Sequence, residues 1–227
     1  MLKRQKSNNE SAKLYLIGTP IGNFEDMTFR AIETLKQVDL IYCEDTRITG
    51  KLLNHFDIHT PLKAYNVMTE NDLTKGLIEQ IKMGKNIAVV SDAGLPGISD
   101  PGYLACHEAI KSDIDVVVIP GVSASLTALC VSGFPTKCFY FHGFLNSKQN
   151  LRQKELLSLV DKEETLIIYE APHRIKETLV DILNIFGDRN ITLSRELTKK
   201  YEEIIRGKIS EILEVVDELK GEMVLVI

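Results

Sequence analysis

No apolar stretch in this 227-residue chain approaches the ~18 residues a membrane-crossing helix needs. The longest, such as Val116-Val117-Val118-Ile119, have the length of buried strands. Cysteine is scarce: Cys43, Cys106, Cys130 and Cys138 are scattered and form no CxxC pair. That excludes closely spaced metal and redox motifs and points to a reducing cytosol. The start, Met1 to Lys13, lacks the apolar core of a secretory leader, and residues 1–12 read as a flexible tail. Charge of one sign is also missing. Lys and Arg number 27 against 32 Asp and Glu, a net charge of −5, which argues against coating nucleic acid by bulk charge. No HExxH, GxSxG or GxxxxGK[ST] string occurs, so metalloprotease, acyl-transfer and Walker-type phosphate chemistry are unsupported.

What is present is a pattern. With 44% hydrophobic residues the chain can build a core without disulfide or metal staples. Short Leu-, Ile- and Val-rich runs at Leu14–Gly18, Asp39–Cys43, Leu62–Tyr65, Asn86–Ser91 and Asp115–Ile119 alternate with helix-period stretches at about 25–37, 46–56, 70–83 and 101–111. Thr69 and Asp72 have the spacing of a capping box. The alternation predicts a mostly parallel sheet covered by helices on both faces. After about residue 135 the texture changes. Strands are expected at Lys137–Phe141, Thr165–Tyr169, Ile191–Ser194, Tyr201–Arg206 and Glu222–Ile227, with helices at 148–160, 172–186 and 209–219. The short link between the third and fourth of these strands favours an antiparallel hairpin. Two α/β domains follow, 13–133 and a mixed one over 134–227, divided where Gly133-Phe134-Pro135 interrupts both periodicities. The last strand ends without a polar tail, which fits either a chain ending in its sheet or one cut at a domain edge.

Three of the early strands run into loops rich in Gly and Pro: Gly18–Asn23, Ser91–Gly102 and Pro120–Ser125. In an open parallel sheet the carboxyl ends of the strands share one edge, and ligands bind there. The first loop, GTPIGN, is not GxGxxG, and Pro20 removes an amide donor where a pyrophosphate needs one. A nucleoside without a phosphate tail is the better match. Glu44-Asp45-Thr46-Arg47 closes the second strand, and Asp45 or Thr46 can cap the helix that follows. In Tyr169-Glu170-Ala171-Pro172-His173-Arg174, Pro172 suits a first helical position. His173 and Arg174 then face the positive end of a helix dipole, which calls for an anionic partner such as Glu170 or a phosphate. Lys148, Arg152 and Lys154 on one helix, with Arg195-Glu196-Leu197-Thr198-Lys199-Lys200, make local basic clusters that can meet phosphates.

LYLIGTPIGN, EDTR, SDAGLPGISDPG, PGVSASLTA, YEAPHR and RELTKKYEEIIRG, in that order over residues 13–227, resemble the tetrapyrrole-methylase superfamily. Within it they resemble the 2′-O-ribose cytidine methyltransferases of ribosomal RNA. The resemblance implies two α/β domains with an S-adenosylmethionine cleft between them, a homodimer, and a cytidine in the 16S decoding region as target. It implies cofactor contacts at Pro20, Ala93, Gly94, Leu95, Ile98, Ser99, Ser123, Ala124, Tyr169 and Glu170. A hydroxyl nucleophile benefits from a nearby base. Glu44, Asp100, Glu170 and His173 are the unranked candidates, each at a predicted cleft edge. Arg47, Arg174, Lys199 and Lys200, with Lys148 and Arg152, are the candidate RNA contacts. Asn146, where the family usually has proline, and Tyr65–Glu70 depart from its pattern. Family members also tend to carry a further short C-terminal module. Two other readings stay open: C-methylation of a tetrapyrrole, and a non-catalytic nucleoside- or cofactor-binding module.

Overall fold

A computed structural model describes residues 4, 5 and 10–227, which form two compact units, Met1–Val122 and Ser123–Ile227. Most of the tail expected over 1–12 lies outside the described residues, namely 1–3 and 6–9. The side chain of Gln5 donates to the Val116 carbonyl and accepts from the Val116 amide, both at 2.9 Å. No helix among the described residues is long and apolar enough to cross a membrane.

The first unit alternates strand and helix: β1 (Leu14–Ile17), α1 (Phe29–Gln37), β2 (Leu40–Cys43), α2 (Thr46–His55), β3 (Leu62–Ala64), α3 (Glu70–Lys82), β4 (Ile87–Val90), α4 (Tyr103–Lys111) and β5 (Val116–Ile119). The sheet order is β3-β2-β4-β1-β5, and every pairing is parallel. The central strands have to be apolar on both faces because helices cover both. All four residues of β4 are buried, and Leu35, Ile41 and Leu77 are fully enclosed. Each such side chain contributes about 1.5–3 kcal/mol by leaving water.

Local signals fix the boundaries. The helix expected from residue 25 is two elements, a 3₁₀ turn at Phe24–Asp26 and then α1. Thr28 starts α1 by accepting from the Ala31 amide at 3.2 Å, a cap worth about 1 kcal/mol. Asp45 caps α2 through the Arg47 amide at 2.8 Å. The capping box expected at Thr69 does not form. Its hydroxyl instead bonds Asn66, whose amide and side chain lie at 3.1 and 3.2 Å.

The second unit comprises α5 (Ala124–Ser132), β6 (Phe139–Phe144), α6 (Gln149–Leu159), β7 (Thr165–Glu170), α7 (Ile175–Phe186), β8 (Asn190–Arg195), β9 (Glu203–Lys208), α8 (Ile209–Val215) and β10 (Met223–Val226). Its sheet runs β6-β7-β10-β8-β9, parallel only between β6 and β7. The β8–β9 pair is the antiparallel hairpin expected from sequence. The unit starts at Ser123 rather than near 134, because α5 packs against β7, β8 and β10. Gly133, in the left-handed conformation (φ 83°), ends α5 rather than a domain.

Charged groups inside this unit correct the sequence reading of α6. Arg152 is fully buried, with its Nε donating to Asp181 Oδ2 at 2.7 Å. Gln149 and Gln153 also donate to Asp181. Arg152 is therefore not an RNA contact, since a guanidinium enclosed with its own carboxylate is beyond reach of a phosphate. Lys148 stays exposed at the start of α6.

Candidate functional site

The carboxyl edge of the first sheet is drawn tight by backbone. A Cβ on Gly18, after β1, would lie 2.8 Å from Gly121 Cα, and one on Gly121 would lie 2.9 Å from Gly18 Cα. Only two glycines allow this approach. Thr19 and Gly94 exchange backbone hydrogen bonds at 2.9 and 3.1 Å, and the buried Thr19 hydroxyl donates to the Ser91 carbonyl at 3.1 Å. The loop after β4 thus lies directly against the loop after β1. Its turns use positive φ at Gly94 (79°), Gly97 (83°) and Gly102 (136°), and also at Ser99 (64°), where a side chain makes the conformation costly. Of the residues expected to hold a cofactor, Pro20 and Gly94 are buried, Ala93 and Leu95 are half-buried, and Ile98 and Ser99 are exposed. All belong to this edge.

Acidic groups sit at the ends of β2 and β4. Asp92 Oδ1 accepts the Asp45 amide at 3.0 Å, tying the two strand ends together. Burial pushes the Glu44 carboxyl up, and the charges of Asp92 and Asp45 add to it. Burial raises Asp92 as well, reinforced by Asp45. Asp45 itself is lowered to about 2 by hydrogen bonds and charge from Arg47, whose Nη2 lies 2.5 Å from Oδ2. Arg47 remains largely exposed. Asp92 was missed by sequence reasoning although it lies in one of the three loops. The signal was its position one residue past a strand end, level with Glu44-Asp45.

The second unit gathers Ser123, Ala124 and Tyr169. The Ser123 and Ser125 hydroxyls are 2.9 Å apart, and the Tyr169 hydroxyl accepts the Ser125 amide at 3.1 Å. Tyr169 thereby satisfies one of the orphan amides of the first turn of α5. Phe141 and Phe144 pack edge-on against its ring at 4.9 and 5.5 Å.

Several expectations are corrected here. Pro172 does not open a helix, because 171–174 is a turn and α7 starts at Ile175. Glu170 is buried and fully used. It accepts from its neighbour Ala171 N at 2.7 Å and from Thr178 Oγ1 at 2.6 Å, and pairs with Arg174 Nε at 3.2 Å. A carboxylate with these partners cannot serve as the base. Arg174, which also donates to the Leu145 carbonyl at 2.7 Å, is spent inside the unit and is not a phosphate contact. The Lys199 ammonium is held between Glu196 Oε1 (2.9 Å) and Glu222 Oε2 (2.8 Å), so its charge is neutralised locally. His173 and Lys200 are exposed, and Asp100 is half-buried.

Two α/β units, with the first sheet's carboxyl edge lined by glycine loops and raised carboxyls, describe a methyltransferase scaffold rather than a dinucleotide or Walker-type site. The chain belongs to the family of tetrapyrrole (corrin/porphyrin) methylases, whose model matches residues 13–213. It is similar to the ribosomal RNA small subunit methyltransferase I of Bacillus subtilis (strain 168), with 52% identity over 236 residues, covering 100% of this chain and 80% of that protein. Among solved structures it resembles a diphthine synthase (TM-score 0.74, 13% identity, 96% of this chain and 90% of that one). It also resembles the uroporphyrin-III-C-methyltransferase of Thermus thermophilus (TM-score 0.65, 20% identity, 95% and 94%). The last two show the fold.

Proposed function

We propose that the chain transfers a methyl group from S-adenosylmethionine to the 2′-hydroxyl of a cytidine ribose in small-subunit ribosomal RNA. The reading is carried by its 52% identity, across the whole chain, to a protein of that substrate class. The first sheet's edge suits the cofactor. The Gly18–Gly121 contact, which any Cβ would obstruct, draws the loops after β1 and β5 together at that edge. Pro20 offers no amide for a pyrophosphate, as befits a nucleoside lacking one. Pro20, Ala93, Gly94, Leu95, Ile98 and Ser99 would hold the group. When bound, it supplies a methyl on a sulfonium, already activated for transfer.

The chain's own task is then to align a ribose hydroxyl and take its proton. Glu44 is best suited to accept that proton. A carboxyl with a raised pKa is a stronger base than an ordinary one. Asp92 raises it further by charge and fixes the end of β2 through Asp45. Arg47, paired with Asp45 but 86% exposed, is the basic side chain of the first unit proposed to meet a phosphate.

Labelled S-adenosylmethionine is incubated with the chain and small ribosomal subunits lacking the modification, and in parallel with a tetrapyrrole. Label in the ribose supports the reading. Label in the pigment, or binding without transfer to either, sinks it. Ala93→Phe removes cofactor affinity measured by calorimetry if the pocket is assigned correctly.

A further inference from the structure

We propose that the turn between β8 and β9 carries a binding pocket for one unpaired RNA base, with Tyr201 as its stacking wall. The inference rests on the ribosomal-RNA reading above. A recess of about 240 Å³ is lined by Arg195, Glu196, Tyr201, Glu218, Lys220 and Gly221. That is just below the ~300–1,000 Å³ of drug-sized sites and suits a single planar fragment. Tyr201 is 65% exposed, and nothing in the unit's core calls for its ring. Lys200 Nζ lies over the ring, 5.5 Å from its centroid, and is not among the residues that line the recess.

The turn that presents Tyr201 is held rigid at a cost. Glu196 (φ 50°) and Thr198 (φ 68°) both adopt left-handed backbone without being glycine, a strained conformation for any residue with a side chain. What holds them is a closed set of bonds. Lys199 is clamped by Glu196 and Glu222, the Thr198 amide donates to Glu202 Oε2 at 2.6 Å, and the Glu196 amide donates to the Glu222 carbonyl at 3.0 Å. Leu197 is buried beneath them. Gly221, at φ 90°, has no room for a Cβ against Glu196. A turn built at this expense keeps its exposed tip in one place, and a preorganised aromatic binds with little ordering cost.

Charge decides the kind of ligand. Arg195 is engaged by Glu203 at 2.7 Å and by the Lys220 carbonyl at 2.9 Å, and Lys199 is neutralised. The basic cluster seen in the sequence is therefore largely consumed within the turn, which leaves little to attract a phosphate. An aromatic face beside the Glu218 carboxylate instead suits a nucleobase, which stacks on the ring and offers amino or imino hydrogens to carboxylate oxygens.

The test measures binding of the full chain to an unstructured mixed-sequence RNA oligonucleotide across a salt series, alongside methylation of unmodified small subunits. Tyr201→Ala weakens oligonucleotide binding about 5- to 150-fold, the range for losing one base stack. It does so without changing the salt slope, because no ion contact is lost. Tyr201→Phe keeps affinity within about twofold, as stacking needs the ring and not the hydroxyl. Both variants melt like the parent. Tyr201→Ala binding as the parent does, or Tyr201→Phe failing as Tyr201→Ala does, overturns the pocket even where subunits are methylated. Tyr201-dependent binding with no methyl transfer to RNA leaves the pocket standing and overturns the ribosomal reading. Absence of any RNA binding at low salt overturns both.

Discussion

Asp181→Ala removes the carboxylate that neutralises the fully buried Arg152. The guanidinium is then left with Glu177, whose Oε2 is 3.5 Å away on a side chain that is 70% exposed. Gln149 and Gln153 lose their acceptor as well. Removing one partner of a buried pair costs about 3–5 kcal/mol, because the remaining charge stays desolvated. That is a fifth or more of the stability of an ordinary domain, about 5–15 kcal/mol. For a unit of this size it corresponds to a fall in melting temperature of about 12–30 °C. Replacing both partners, Arg152→Met with Asp181→Leu, leaves stability unchanged or raises it by about 1–4 kcal/mol. The effect has a pH signature. Burial pushes the Asp181 carboxyl up, but hydrogen bonds from Gln153, Arg152 and Gln149 and the Arg152 charge outweigh it, and the net shift is downward. A lowered carboxyl contributes stability that is present above the ordinary carboxylate range and lost as pH falls through its depressed value. The parent therefore shows a steeper acid loss than Asp181→Ala. The assay is urea unfolding from pH 7 down to 3, with hydrogen exchange of the α6 and α7 amides identifying the unit that opens. A cost below about 1 kcal/mol for Asp181→Ala, with an unchanged acid limb, would refute the reasoning.

Gly18→Ala forces a Cβ to within 2.8 Å of the Gly121 backbone. It is expected to cost about 1–3 kcal/mol and to abolish S-adenosylmethionine binding in calorimetry. Thr178→Val deprives the buried Glu170 of a 2.6 Å donor, for an expected loss of about 1–3 kcal/mol in thermal melts. Asp45 should titrate near 2 in the parent and higher in Arg47→Ala, though still below the ordinary carboxylate range because the amides of residues 47 and 48 remain, followed by carbon NMR of the side-chain carboxyl. Asp92→Asn lowers the Glu44 pKa by removing a neighbouring negative charge, and shifts the acid limb of any methyl-transfer profile toward lower pH.

The first unit was legible almost strand by strand. β1, β2, β4 and β5 fall within one or two residues of their expected bounds, because each is a short aliphatic run between turn residues, although β5, expected to be buried, is an edge strand with Val118 53% exposed. The glycine loops were legible for the same reason. Charge was not. Arg152 read as a basic surface beside Lys148 and Lys154, yet it shares the buried stripe of α6 with Leu156 and Leu159 at helical spacing. That spacing was the available signal. For Lys199 only Glu196, three residues before it, was a local signal, and its second carboxylate, Glu222, lies 23 residues away. Glu170 likewise looked catalytic because its partner Thr178 becomes a neighbour only when α7 packs back. Periodicity reports which backbone is buried, whereas the fate of a charged side chain depends on contacts across the fold.

The position of β10 has a consequence for how the second unit comes together. It follows every other strand in sequence yet lies between β7 and β8, bonded to both. Before it arrives, the parallel β6–β7 pair and the β8–β9 hairpin have no hydrogen bonds joining them. The hairpin can close early, since its pairing is local. The sheet as a whole has to await a strand paired to partners tens of residues back, and such long loops close slowly. In a kinetic experiment, substitutions such as Leu193→Ala in the hairpin should slow folding, whereas Leu225→Ala in β10 should chiefly speed unfolding.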